Sequence, residues 1–148
     1  MKVALLDVNV LVALAWPEHI HHIAASQWFK DNHTTKWVTC PLTEAGFVRL
    51  SANPAVVSSL VSTRDAINAL KRICTAPGHI FWPQGYSITE LAPEIRERLV
   101  GHQQLTDALL LDLAIRNEGR LVTLDRRIAN LLPADSPHHS ALEILVAK

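Results

Sequence analysis

The chain carries no surplus charge: fourteen Lys and Arg stand against fourteen Asp and Glu, so no bulk field gathers a polyanion, and any such ligand must be gripped locally. Cysteine is scarce too. Cys40 and Cys74 are its two, neither sits in a CxxC, and so few cannot make a disulfide framework; a reduced, cytoplasmic compartment is the default. Five glycines in 148 residues and a 49% hydrophobic content exclude disorder. Long apolar runs are also missing. No segment approaches the roughly 18 uninterrupted apolar residues of a membrane span. The N-terminal stretch imitates a signal peptide, with Lys2 and a small-x-small Ala13-Leu14-Ala15, but Asp7 and Asn9 interrupt what should be a continuous apolar core. What remains suits a single domain over residues 1–148 that needs no staples.

Short apolar runs alternate with helical patterns. Val3-Ala4-Leu5-Leu6 reads as a strand buried on both faces, ending at Asp7. Val8 to Trp16 predicts a short helix closed by Pro17, and His19 to Asp31 a second, with Ile20, Ile23, Ala24, Trp28 and Phe29 as its apolar stripe. Trp37 to Cys40 is the next strand. Pro41 then opens a helix through Leu50, stopped at Asn53-Pro54. A helix from Arg64 to Cys74, with Ala66, Ile67, Leu70 and Ile73 inward, precedes a third strand at Ile80-Phe81-Trp82, cut off by Pro83-Gln84-Gly85. Helices over Thr89 to Val100 and Thr106 to Asn117 follow, the second ending on Glu118-Gly119. Leu121 to Leu124 forms the fourth strand, a short helix runs to Leu132, and Leu142 to Val146 makes a last edge strand. This alternation predicts an α/β fold of three layers, α/β/α, around a mainly parallel sheet of four or five strands.

In a parallel sheet every strand's C-terminal end, and the N-terminus of every helix packed against it, lies on one edge, where open sheets of this kind place ligands. Asp7 and Asp125 fall at strand ends, Glu44 in a first turn after a strand, and Asp107 at the opening of the helix before the fourth strand. All four acids should therefore face one crevice, where their repulsion calls for a divalent cation or a proton. Each has an ordinary alternative, since acids cap helices and ease the helix dipole. Capping, however, gives no reason for Glu44 inside a turn or for Asp7 in an apolar run.

Asp112 lies about 140° round the helix from Asp107, among apolar neighbours, and must find a partner. It either touches the metal site through water or belongs to a structural ion pair. Asn9 and Thr123, two positions from Asp7 and Asp125, project to the same edge and either orient ligands or make ordinary turn hydrogen bonds. Arg49, Arg126 and Arg127 are the nearest cations in sequence, with Arg49 or Arg126 the candidates for phosphate contact. His19, His21 and His22, with His138 and His139, invite a zinc reading, but no cysteine or HExxH pattern completes a site around them. Trp16, Trp28, Trp37 and Trp82 read as core.

The segments Leu5-Leu6-Asp7-Val8-Asn9-Val10-Leu11, Thr43-Glu44, Leu105-Thr106-Asp107-Ala108-Leu109-Leu110 and Val122-Thr123-Leu124-Asp125 together resemble the PIN-domain nucleases, with a closer likeness to VapC-type toxins of bacterial toxin-antitoxin pairs. The resemblance implies an endoribonuclease using Mg²⁺ or Mn²⁺, silenced by a cognate antitoxin protein, homodimeric and cytoplasmic. It carries the family's acids onto Asp7, Glu44, Asp107 and Asp125. Hard oxygen ligands fit Mg²⁺ or Mn²⁺ better than zinc. On this expectation Asp7, Asp107 and Asp125 hold the cation, Glu44 holds or deprotonates the attacking water, and the RNA product keeps a 5′-phosphate.

Neutral charge stands in tension with RNA binding, which usually rests on a basic patch. Bound metal would offset the acids, and Arg49, Arg64, Lys71, Arg72, Arg96, Arg98, Arg126 and Arg127 remain for a rim. Two rivals stay open. A catalytically idle PIN scaffold that binds RNA or protein is one. The other is a haloacid-dehalogenase-type phosphatase, whose DxD pattern would need an acid where Asn9 stands.

Overall fold

A computed structural model describes residues 2–83 and 85–145. Five short strands, β1 (Ala4–Leu6), β2 (Trp37–Thr39), β3 (His79–Phe81), β4 (Arg120–Thr123) and β5 (Leu142–Ile144), pair in parallel throughout in the order β3-β2-β1-β4-β5. The register sets Leu5 beside both Val38 and Leu121. Because successive strand side chains point to opposite faces, Ala4 and Leu6 enter one core while Leu5 enters the other.

Six α-helices cover the two faces: α1 (Val8–Ala15), α2 (His22–Asp31), α3 (Pro41–Ser51), α4 (Thr63–Ile73), α5 (Pro93–Arg96) and α6 (Leu105–Arg116). The first core joins Val10, Leu11, Trp28, Phe47 and Leu70 from α1 to α4 with one face of the sheet. The second joins Ile95, Leu110, Leu111 and Leu113 from α5 and α6 with the other. Local chemistry starts several of these helices. Pro41 sits in the tolerated first turn of α3, and Ser62 and Asp65 cap α4 reciprocally, Asp65 N–H donating to Ser62 Oγ at 3.0 Å. The three-layer α/β/α arrangement follows as expected, with all five strands parallel. No helix among the described residues is long and apolar enough to cross a membrane.

Three elements differ from the sequence reading. The segment Thr89 to Val100 is not one helix: a 3₁₀ turn (Ile88–Glu90) and α5 are separated by extended backbone, with Ala92 at φ −53°, ψ 134°. Proline crowds the residue before it out of the helical region, so Pro93 restarts the chain rather than continuing it. The second expected helix begins at His22, and Ile20 and Ile23 remain 86% and 83% exposed instead of facing the core. The stop after α6 is also divided between two residues. Glu118 takes the left-handed φ of 54°, whereas Gly119 is required for close approach: a Cβ there would lie 3.0 Å from Val3 O and from the Trp82 ring. The last strand ends at Ile144; Val146 and Gln84, expected in β5 and in the turn after β3, lie outside the described residues.

Gly46 sets the contact between α1 and α3, since an added Cβ would come within 2.6 Å of Val8 Cγ2. Gly46→Ala gains helix propensity but must displace a β-branched side chain in a packed contact. We expect a net loss of about 1–3 kcal/mol in urea unfolding, restored in large part by Val8→Ala in the same chain. An unchanged midpoint for Gly46→Ala would mean that the two helices slide apart freely.

Candidate functional site

β1 and β4 are parallel neighbours, so the residues that leave them arrive together at one sheet edge. Asp7 leaves β1 and caps α1, Val8 N–H donating to its Oδ1 at 2.7 Å. Its backbone N–H donates to Val122 O at 2.9 Å, which fixes its depth against β4. Asp125 leaves β4 and caps the 3₁₀ segment Arg126–Leu131. Asp107 reaches the same edge from the first turn of α6.

A hydroxyl ties the two strand ends. Thr123 Oγ1 donates to Asp7 Oδ2 at 2.7 Å and accepts from Asp125 N–H at 3.0 Å and from Asn9 Nδ2 at 3.3 Å. Asn9 closes the loop by accepting Leu124 N–H at 3.2 Å. Thr123 and Asn9 thus orient the edge on which the acids sit. With Asn9 engaged at both ends of its amide, no proton donor stands where a DxD phosphatase would need one.

Two crevices open on this edge and share Asp107 as a wall. One, of about 320 Å³, is lined by Asp7, Asn9, Gly46, Arg49 and Asp107; the other, of about 370 Å³, by His102, Gln104, Asp107, Asp125 and Arg127. Crowding of like charge shows in the acidities. Burial raises the Asp7 carboxyl above the usual carboxylate range, and the Asp125 charge adds to it against the lowering bonds from Thr123 and Val8. Asp107 is pushed up to about 6, first by burial and then by Asp7 and Asp125. Asp125 moves the other way because Arg127 grips it through Nε and a terminal nitrogen at 3.1 and 3.0 Å.

Three of the four expected acids therefore line these crevices. Glu44 lines neither crevice; its Oε2 accepts the Thr39 hydroxyl at 2.7 Å, and its charge acts on Cys74 and His79. The helix explains this placement. At 100° per residue, the crevice face of α3 runs through Leu42, Ala45, Gly46 and Arg49, and Glu44 lies roughly opposite. Asp112 is likewise elsewhere: 1% exposed, it pairs with Arg116 at 2.8 Å, whose guanidinium lies 3.9 Å over the Tyr86 ring. Arg49 is exposed on the crevice rim. Arg126 is exposed and lines neither crevice. Arg127 was foreseen only as a nearby cation for the rim and not as the partner of Asp125, and the turn His102–Gln104 was not foreseen at all. The first had a signal, since two residues past a capping aspartate is within reach of its carboxylate; the second had none.

The donor set is all oxygen, and the three carboxylates do not all converge within 4.8 Å. Such a donor set suits Mg²⁺ or Mn²⁺, which take one or two carboxylates directly and reach others through water. It does not fit a closed zinc cage.

Comparisons with known proteins agree with this geometry. The PIN domain family profile matches residues 4–132. The chain is similar to Ribonuclease VapC39 of Mycobacterium tuberculosis (strain ATCC 25618 / H37Rv), 41% identical over 142 residues that cover 96% of this chain and 99% of that one. Ribonuclease VapC38 of the same strain is 48% identical over 128 residues, 86% and 89% of the two chains. Among solved structures, a chain of the crystal structure of VapBC2 from Rickettsia felis bound to a DNA fragment from their promoter matches with a TM-score of 0.61 at 18% identity, covering 97% and 99% of the two chains. At that identity the last match speaks for the fold.

A carboxyl whose folded pKa is raised contributes stability that is complete below its unfolded value and disappears as pH rises through the folded one. For Asp107 the window runs from 3.8 to about 6. In chelator, the melting temperature of the wild type relative to Asp107→Asn should therefore fall across that window, leaving the variant the more stable at pH 7.5. Parallel melting curves across pH 4–8, an interval of about two units either side of the shifted value, would show that Asp107 carries no repulsion.

Proposed function

Because the chain belongs to the PIN-domain family, we propose that it is a metal-dependent endoribonuclease acting as the toxin of a toxin-antitoxin pair. The observation that carries this reading is the meeting of Asp7, Asp107 and Asp125 at one sheet edge, with two of them forced above their usual pKa by burial and by the other acids. Such a site is held together best by a cation.

Mg²⁺ or Mn²⁺ would be held by Asp7 and by Asp107 or Asp125, and would supply activation of water and stabilisation of the leaving oxygen of a phosphodiester. The chain's own residues do the rest. The Thr123 hydroxyl and Val8 N–H fix both oxygens of Asp7, so it presents one geometry to the ion. Arg127 neutralises Asp125 meanwhile, and its side chain is 85% exposed; exposed ion pairs of this kind are weak, because solvent screens them. Arg127 would thus be free to exchange Asp125 for a phosphate if that carboxylate were engaged by a cation. Arg49 offers the second phosphate contact from the α3 side. Glu44, in the first turn of α3, remains the candidate to hold or deprotonate the attacking water.

The partner side of the reading is a cognate antitoxin protein and a second copy of the chain. Leu60, Ile20 and Ile23 support a protein partner, being 98%, 86% and 83% exposed; apolar groups left in water mark interaction surfaces when they cluster. The two free cysteines, Cys40 and Cys74, suit the reducing cytoplasm.

Total RNA treated with the purified chain in Mg²⁺ or Mn²⁺ should acquire new 5′-phosphate ends, mapped by sequencing, that vanish with chelator and in Asp7→Asn. Persistence of the same ends in Asp7→Asn would refute the mechanism, and an idle scaffold would yield none with either protein. Thr123→Val should lower activity by about 10–100-fold, the usual cost of losing a partner that orients a metal ligand, without abolishing the fold. Arg49→Ala should reduce the salt dependence of RNA binding by about one phosphate's worth, and an unchanged slope would remove Arg49 from the substrate path.

A further inference from the structure

The crevice that holds Asp107 and Asp125 does not end at its own rim. Val100 and Gln104 line it, and on their other side a shallow basin of about 400 Å³ opens, lined by the same two residues with Glu97, Arg98, Leu99 and Asn130. That volume lies in the range of about 300–1,000 Å³ that takes groups of small-molecule size. Gln104 immediately precedes α6 and Asp107 lies three residues on, in its first turn, so the two side chains stand about 5–6 Å apart along one helix face. We infer that Gln104 and Val100 read the nucleotide next to the cleaved phosphate, the carboxamide by donating to its base and the valine by packing against the base's face.

A turn fixes the carboxamide. Gln104 Oε1 accepts Val100 N–H at 2.7 Å and Gly101 N–H at 3.3 Å, and a carbonyl oxygen has two lone pairs, so both are spent. The Nε2 amino group is what remains for a ligand, and it only donates. An unconstrained glutamine reads adenine by accepting from N6 while donating to N7; here the accepting half is already taken. Gln104 should therefore favour guanine and uracil, which carry a carbonyl oxygen, over adenine and cytosine, which carry an amino group at the same place.

The walls around it suit a base and its phosphate. Val100 is 93% exposed, an apolar side chain held in water at the divide between crevice and basin, and apolar side chains serve as surfaces for an unstacked base. Arg98 Nε donates to Asn130 O at 2.8 Å, which pins the guanidinium plane to the basin wall and leaves its terminal nitrogens for the neighbouring phosphate. Glu97, the one acid of the basin, lies 3.7 Å from Arg96. A base that enters the basin has left any duplex, so the nucleotide read is an unpaired one. Cutting and choosing are thus divided across Gln104: the aspartates lie on one side of it and the base on the other.

The inference takes its substrate from the nuclease reading, and the test separates the two. A randomised pool of single-stranded RNA is cleaved by the wild type in Mn²⁺ and, in parallel, retained on Asp7→Asn, and both fractions are sequenced. Guanine or uracil should exceed adenine or cytosine by about 2–10-fold, the worth of one neutral hydrogen bond, at one position beside the cut and in the retained motif. Gln104→Glu, made in both backgrounds, keeps an oxygen for the Val100 and Gly101 N–H groups but exchanges the donor for an acceptor; it should reverse the preference at that position alone, with the melting temperature held. Val100→Ala should weaken retention by about 2–5-fold, the worth of about one buried methylene. Equal use of the four bases beside the cut, a preference that Gln104→Glu leaves as it was, or unchanged retention by Val100→Ala overturns the inference while the nuclease stands. If the wild type cuts nothing, yet the retained RNA shows a preference that Gln104→Glu reverses, the nuclease falls and the base-reading pair stands. RNA that is neither cut nor retained overturns both.

Discussion

The hydroxyl of Thr123 is the joint on which the acidic edge depends. A buried carboxylate is costly unless its oxygens find donors, and Asp7 is 5% exposed. Its donors come from two places: Val8 N–H, which any helix start would offer, and Thr123 Oγ1, which only the adjacency of β1 and β4 can supply. The parallel pairing of these two central strands is therefore what makes a second acid at Asp125 and a third at Asp107 into neighbours rather than three separate helix caps. Repulsion among them is partly held in check by Arg127, which serves Asp125 as an internal cation.

The central strands, their order of appearance and Asp7 were legible because a strand buried on both faces leaves an unbroken apolar run, and a charge at its end then stands out. Thr123 and Asn9 were legible for the same reason, through the two-residue offset from their aspartates. Glu44 rested on a different kind of inference. Position in a first turn gives height along a helix, but the azimuth decides which neighbour a side chain meets, and α3 presents Gly46 and Arg49 to the crevice and Glu44 to its far side. Asp112 could be identified as needing a partner, although which partner depended on Arg116 one turn on and on Tyr86 from a loop. The broken segment around α5 shows the limit of periodicity: Ile88, Leu91 and Ile95 keep helical spacing, yet one proline redirects the backbone.

Gln104 and Val100 were invisible as a pair for a plainer reason. Neither is charged, and only the hydrogen bonds that close their turn set them together on one wall. Charged or metal-binding clusters stand out first in a sequence, and the histidine-rich stretch at His19, His21 and His22 drew that attention instead. In the fold those rings are engaged locally, His22 Nδ1 lying 2.7 Å from Ala13 O and His19 Nδ1 accepting the His21 N–H at 3.0 Å.

Zero net charge ceases to be an obstacle once charge is considered by place. Three of the fourteen acids, Asp7, Asp107 and Asp125, line the crevices, where a bound divalent ion would reverse their local effect, whereas Arg49 and Arg127 stand on the rims of the two lobes that share Asp107. On the proposed reading, a phosphodiester entering this edge would meet arginine on either side, with the aspartates that would hold the cation between them. The same arrangement makes affinity conditional on the ion: without it the three carboxylates repel the phosphate that the arginines attract. On that reading, binding of substrate and binding of metal would be thermodynamically coupled through Asp107, the acid that lines both lobes, and by linkage each would tighten the other by the same factor.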